Sequence, residues 1–439
     1  AAAGPASPFC PPAGGGVATG GPFSSFSSVP SGSFGFNSAQ SAGTTTFSAS
    51  TGAFGGGISV PTGFGGLASG PPKTTKAIAP SAAVGGQGPE ALSLPTPPED
   101  SVSDVIFGGP AHHVAASSWD GSVRVWKVDG DGRTADHLLT YTHAAPALCV
   151  GWSHGASALF SGGAEGLVRS VNLTRPQLQL VGEHQSAVSA LATTTEQPSC
   201  VLSASHDGCV AVWDVRTSGQ RAATVSLGAP VHSLDLQWPR ALAGTSTAGA
   251  VSMIDLRQPA PVVETAPLQS NIKKYAPRCV KLFPRGLNDG NGFCTGSFEG
   301  RVGIHFFGTP QASAQPANAK WGEDFQFKCH RHSCDVAGTQ RVFAVNAVSF
   351  HPKKPELLAT AGSDGEAVLW DVRQRKRVQQ LAAAPASGLA VCAMAFSAGG
   401  EMLALARSDD WTGGEARSRE LSANGARNEI CVIPLAHLR

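Results

Sequence analysis

The chain has 439 residues, with 32 Lys and Arg against 31 Asp and Glu, and a net charge of +1. Its length exceeds one ordinary domain, and its near-neutral charge argues against a chain-wide nucleic-acid footprint while leaving room for a local basic groove. Ten Cys spread singly along the chain read as reduced, intracellular thiols, and no apolar run approaches the ~20 residues of a membrane span.

Residues 1–72 contain no Asp, Glu, Lys or Arg; the first charge is Lys73. They are Gly, Ser, Ala, Thr and Pro with eight scattered Phe, three of them in the pairs Phe34-Gly35, Phe54-Gly55 and Phe64-Gly65. Such a segment buries too little apolar surface to offset chain entropy, so a disordered, FG-containing tail is expected, with aromatic stickers on a flexible spacer. The Phe are too dispersed for a signal-peptide core, so secretion is not expected. Residues 73–91 read as a Pro-rich linker. Leu92-Ser93-Leu94 has apolar residues at spacing two, a candidate strand.

From residue 92 to 439 one pattern recurs. Val102 to Phe107 is a strand, and then come Ala115 to Val128, Ala158 to Leu173, Val201 to Val215, Ala241 to Leu256, Phe293 to Phe307 and Leu358 to Val372. The last unit starts at Met402 and carries a long insertion before Ile430 to Leu435. The sixth unit shows the pattern most clearly. Asp364-Gly365 supplies the positive φ angles of a two-residue hairpin turn, and Ala367-Val368-Leu369-Trp370 is a buried strand closed by Asp371. Aligned units place Trp126, Val171, Trp213, Ile254, His305, Trp370 and Ile433 in register, with first steps of 45, 42 and 41 residues. A period of about 40–45 residues with four short strands per unit is the signature of WD-repeat propellers. The expected fold is all-β, a seven-bladed WD-repeat β-propeller behind the tail. Its closure needs one blade built from both chain ends, and Leu92 to Leu94 is the expected outer strand of that blade.

Several residue groups invite a chemical reading. His184, Ser203 or Ser205, Asp207 and Trp213 imitate a hydrolase constellation, but a structural hydrogen-bond network in a blade is expected. No Gly-x-Ser-x-Gly elbow or His-Glu-x-x-His accompanies them. Cys329-His330-Arg331-His332-Ser333-Cys334 looks metal-like, yet adjacent Cys-His cannot both face one ion and no second Cys-x-x-Cys lies nearby, so no metal and no cofactor are expected. Arg373, Arg375, Lys376 and Arg377 form a dense basic run after Trp370-Asp371, suited to gripping carboxylates or phosphates. Lys273, Lys274, Arg278, Lys281 and Arg285 form a second, less specific one.

Gly296 to His305, Phe325 to Arg331, Ala344 to Pro352 and Ala361 to Gly365 resemble one WD-repeat group in particular. It comprises the nuclear-pore mRNA export factors and their sister, the mitotic-checkpoint propellers. Ser408-Asp-Asp-Trp-Thr-Gly-Gly-Glu415, Gly303-Ile-His305 and the tail look like the export side, whereas Lys376-Arg377 resembles the checkpoint form. The resemblance implies no enzyme. It implies a nuclear, pore-associated, partly cytoplasmic scaffold that binds an FG nucleoporin through a short acidic helical hairpin. Single-stranded RNA, transport receptors or checkpoint kinases are further implied partners. The rim residues it implies are Arg301, Phe327, Trp370 and Arg375, with Arg373 or Arg377 able to take the role of Arg375.

Overall fold

Each repeat unit folds as a four-stranded antiparallel sheet, and seven such sheets form the blades of a propeller. The computed structural model describes residues 91–108, 112–153, 158–217, 219–257, 262–268, 274–307, 321–334 and 339–435. The tail at 1–72, the linker as far as Glu90 and most of the loop Gly308 to Gly322 lie outside the described residues.

Blade 1 consists of Val102–Gly108, His113–Ser118, Ser122–Val128 and Ala135–Thr142, paired in that order. Blades 2 to 4 repeat the order from Ala147, Val188 and Val231. Blade 5 is Cys279–Leu282, Gly292–Gly296, Arg301–Phe306 and Phe325–Lys328, and blade 6 is Val345–Phe350, Leu357–Gly362, Ala367–Asp371 and Lys376–Ala382. The first strand of each blade touches the first strands of its two neighbours all the way round, blade 7 against blade 1 included. The first strands therefore line the axis and the fourth strands form the outer wall.

Sandwiching fixes the burial pattern. The second strand of blade 6 is buried along its whole length, as is that of blade 3, Cys200–Ser205. Strands covered on both faces read as continuous small and apolar runs, not as alternation. The outer strand Arg221–Ser226 is mostly exposed. Seven hydrophobic clusters of described residues fill the seven seams, one between each pair of neighbouring blades.

Blade 7 closes the ring as the alternation at its N-terminal end suggests. It joins Ala390–Phe396, Met402–Ser408 and Glu429–Pro434 to the early strand Leu92–Ser93. Leu92 pairs with Val432 and Ser93 with Cys431. Leu94 N donates to Ile430 O at 2.8 Å, and its side chain is buried in the seam between blades 7 and 1. The repeat alignment is also physical: Trp126, Trp213, Trp370 and Ile433 each sit in the third strand of a blade opposite an apolar residue of the second.

Two local expectations change. In the turn of blade 6 only Gly365 has a positive φ, 76°, and Asp364 does not. Gly365 N donates to Gly362 O at 3.0 Å, so the turn is longer than two residues. A Cβ at Gly365 would stand 2.5 Å from Leu389 O, so the position needs glycine for space as well as for φ. The insertion of blade 7 contains a helix, Gly414–Ala423, anchored by buried Leu421. Its Glu415–Arg419 pair at 2.6 Å has the i,i+4 spacing that supports an exposed helix.

Candidate interaction site at the seam of blades 5 and 6

The imitation of a hydrolase resolves into architecture. His184 Nδ1 lies 2.9 Å from Asp207 Oδ2, His184 Nε2 lies 2.7 Å from Ser203 Oγ, and Trp213 Nε1 donates to that Oγ at 2.6 Å. Ser203 is wholly buried, so its hydroxyl has no route to a substrate. Ser205 is separate; its Oγ donates to Ser186 O. The motif recurs elsewhere, which a single catalytic centre does not. His330 joins Asp364 at 2.9 Å and Thr360 at 2.9 Å, and Trp370 Nε1 donates to Thr360 Oγ1 at 2.9 Å. His143 joins Glu165 and Ser161, with Tyr141 in place of the Trp. Burial pushes the His184 and His143 imidazoles below their ordinary pKa, which disfavours their charged forms. Burial alone would raise the Asp207 carboxyl, but hydrogen bonds from His184 and from the Cys209 and Gln185 amides bring it below its ordinary value.

The metal-like run is likewise committed. Cys329 is buried in the core of the seam, and His330 belongs to the network just described. His332 Nε2 sits 3.0 Å from Asp364 Oδ2, extending that network toward the surface. Residues 331–333 pair with 340–342 as a two-stranded hairpin.

Trp370 is therefore a side chain with two faces of use. Its indole N–H is fixed by Thr360, while its ring, half-buried, packs against Phe327 with centroids 4.8 Å apart. Phe327 comes from the outer strand of blade 5, where it pairs with Val302. Arg377 stands opposite Trp370 in the outer strand of blade 6. The Arg375 guanidinium lies 4.0 Å from the centroid of Phe325, and that of Arg373 lies 5.6 Å from Trp321. Arg375 has a φ of 55°, a conformation that costs a branched or long side chain about 1 kcal/mol or more. The turn would be relaxed with Gly at that position, so the backbone does not account for the arginine there.

Five of the six sequence-selected residues thus converge: Phe327, Trp370, Arg373, Arg375 and Arg377. Arg301 does not. It pairs with Lys328, and strand alternation sends both to the face of blade 5 opposite Val302 and Phe327. Its nearest acidic partner is Glu299 at 3.9 Å. The second basic stretch disperses as well. Lys281 pairs with Asp235 in the axial channel, Arg285 with Glu196, and Arg278 lies over Phe298; Lys273 is outside the described residues. Sequence reading missed Phe325 and Trp321, which order the arginines. Their signal was their aromatic character beside a basic run of the neighbouring blade, visible only once the seam is known.

The channel is a second concavity, of about 550 Å³, lined by the first strands. Burial raises the Asp104 carboxyl there to about 6, although the Val150 and Val105 amides donate to it. His184 and Ser203 do not line it.

A closed ring of four-stranded blades with repeated His–Asp–Ser/Thr–Trp networks defines a WD-repeat propeller. Residues 92–127, 175–214 and 330–371 match the WD domain, G-beta repeat family. The chain is 31% identical over 327 residues to the Poly(A)+ RNA export protein of Schizosaccharomyces pombe, covering 74% of this chain and 85% of that protein. It is 32% identical over 348 residues to the Mitotic checkpoint protein BUB3.1 of Arabidopsis thaliana, covering 78% and 94%. The crystal structure of RRP9 WD40 repeats superposes with a TM-score of 0.61 at 19% identity, over 79% of this chain and 99% of that one, a likeness of fold alone. The chain belongs to the WD-repeat family of the mRNA export factors, in which mitotic checkpoint propellers are close sisters.

Proposed function

We propose that the protein is a non-enzymatic adaptor in mRNA export, working at the nuclear pore and in the adjoining cytoplasm. It would hold an FG nucleoporin through a short acidic hairpin and use the same rim for single-stranded RNA. The observation that carries this reading is the seam of blades 5 and 6, where a fixed Trp370–Phe327 pair is bordered by Arg373, Arg375 and Arg377. An aromatic pair receives one apolar or base anchor, and guanidiniums already stacked on rings lose less freedom when they grip carboxylates or phosphates. Arg301, on the other face of its strand, contributes less.

Charge reversal tests the assignment. Arg375→Glu with Arg377→Glu is expected to weaken an acidic nucleoporin hairpin at least tenfold with an unchanged melting temperature, and Arg301→Glu to weaken it less. Unchanged affinity in the double variant removes the rim. The relationship to a checkpoint protein over 94% of its length supports a second reading, an adaptor for checkpoint kinases. Partners recovered from interphase and mitotic cells separate the two: nucleoporin without kinases supports export, and kinases without nucleoporin overturn it.

A further inference from the structure

The insertion of blade 7 presents Trp411 in an unusual way. Its φ is 59° and it is 56% exposed. A bulky residue in the left-handed region, with its ring in water, costs both backbone strain and apolar exposure. Its surroundings enforce the position. Trp411 N donates to Asp409 Oδ1 at 2.9 Å, and Ser101 Oγ donates to Asp409 O at 2.9 Å. Asp410 accepts from Asn346 Nδ2 at 2.9 Å, from Ser363 Oγ, and from Thr412 Oγ1 at 2.7 Å. The loop is thus pinned to blades 1 and 6, which fixes the backbone that carries the indole.

Trp411 lines a pocket of about 470 Å³ between residues 97–101 and the helix Gly414–Ala423. Leu389 and Leu421 form apolar wall, and the charged lining is Glu99, Asp100, Asp409 and Arg427. Nearby cations are engaged elsewhere: Arg124 with Asp120, Arg417 with Glu420 and Arg419 with Glu415. Three carboxylates against one exposed arginine leave the lining two negative charges in surplus. Asp409 Oδ2 is buried and has no hydrogen-bond partner. That atom is closed to solvent, so it acts on a cation in the pocket through its charge and not through a direct hydrogen bond.

We propose that this pocket receives an arginine side chain from a partner protein. A planar guanidinium stacks on the Trp411 ring and is held by the negative charges of Glu99, Asp100 and Asp409 around it. Arginine is favoured over lysine because its flat guanidinium stacks on a ring face and is more weakly hydrated than an ammonium. The site lies on blades 7 and 1, apart from the arginine-bordered seam of blades 5 and 6, and it has the opposite charge. It therefore stands or falls independently of the export reading.

The test is a nuclear magnetic resonance titration of the full chain, following the Trp411 indole, with capped Gly-Arg-Gly, Gly-Lys-Gly and Gly-norleucine-Gly. The arginine peptide is expected to bind with a Kd of roughly 1–10 mM, the range for one anchored side chain. Lysine should be several-fold weaker and norleucine weaker still, and 0.5 M salt should weaken the arginine peptide. Asp409→Asn and Glu99→Gln should each cost about twofold to fivefold, with unchanged melting. Equal binding of norleucine, unchanged affinity in both variants, or no shift of the Trp411 indole with any peptide overturns the proposal.

Discussion

Ser203 carries two hydrogen bonds that nothing else can supply, one with His184 and one from Trp213. Ser203→Ala leaves both partners buried and unsatisfied, at about 1–3 kcal/mol each. The expected loss is about 2–4 kcal/mol in urea unfolding; a loss under about 0.5 kcal/mol would show that the network is ornamental. The same residues set the response to acid. Burial lowers the imidazoles of His113, His143, His184, His232 and His351. Below the unfolded value near 6.5, the unfolded chain takes up protons that these folded sites refuse, so stability falls as pH falls. Asp207 and Asp364, whose folded values are depressed despite burial, add further loss below about 4. Asp104 works the other way, because its raised value favours the folded state as it protonates, but it is one group against seven. Melting temperature should hold between pH 7 and 8 and decline steadily from pH 6.5 to 4; a rise over that interval would contradict the assignment. Sequence spacing was enough to name the His184 group. It was not enough to assign Asp364, whose Asp-Gly context reads as turn chemistry, although its carboxylate serves His330 and His332.

Strands whose continuous apolar run is set by double-sided burial were legible in the sequence, and a helix with almost no buried face was not. The closing strand Leu92–Ser93 was visible because Leu92 and Leu94 alternate beside proline. The helix Gly414–Ala423 escaped because it buries only Leu421 and so has almost no apolar face to detect. The closing strand also lends itself to measurement. A chain beginning at Pro95 lacks the Leu92 and Ser93 pairings and buried Leu94, a loss of about 3–5 kcal/mol from one apolar side chain and a few hydrogen bonds. It should melt well below a chain beginning at Ala91, and equal melting would mean that the ring closes without that strand.

Over the molecule as a whole, charge is balanced, and function falls to local imbalance. The net charge of +1 provides no long-range field to gather nucleic acid. The seam of blades 5 and 6 offers Arg373, Arg375, Lys376 and Arg377 as a local substitute. If all four neutralise phosphates, single-stranded RNA affinity falls with salt at a log–log slope of about −3, from about −0.7 per contact. A slope steeper than about −5 would require basic groups beyond this seam. The sequence showed the basic run, and the family resemblance added Phe327, but Trp321 and Phe325 belong to a different blade and meet the arginines only through the packing of neighbouring sheets.

The hydrogen bond from Ser93 to Glu429 spans 336 positions of chain. During synthesis at about 5–20 residues per second, the strand made first waits roughly 20–70 s for its partner to emerge. Through that interval six blades can assemble in order, each on the one before, while blade 1 keeps an open flank at the seam it will share with blade 7. That one seam therefore stays open longest during synthesis, and the emergence of Glu429–Pro434 decides whether a nearly finished ring becomes a closed one.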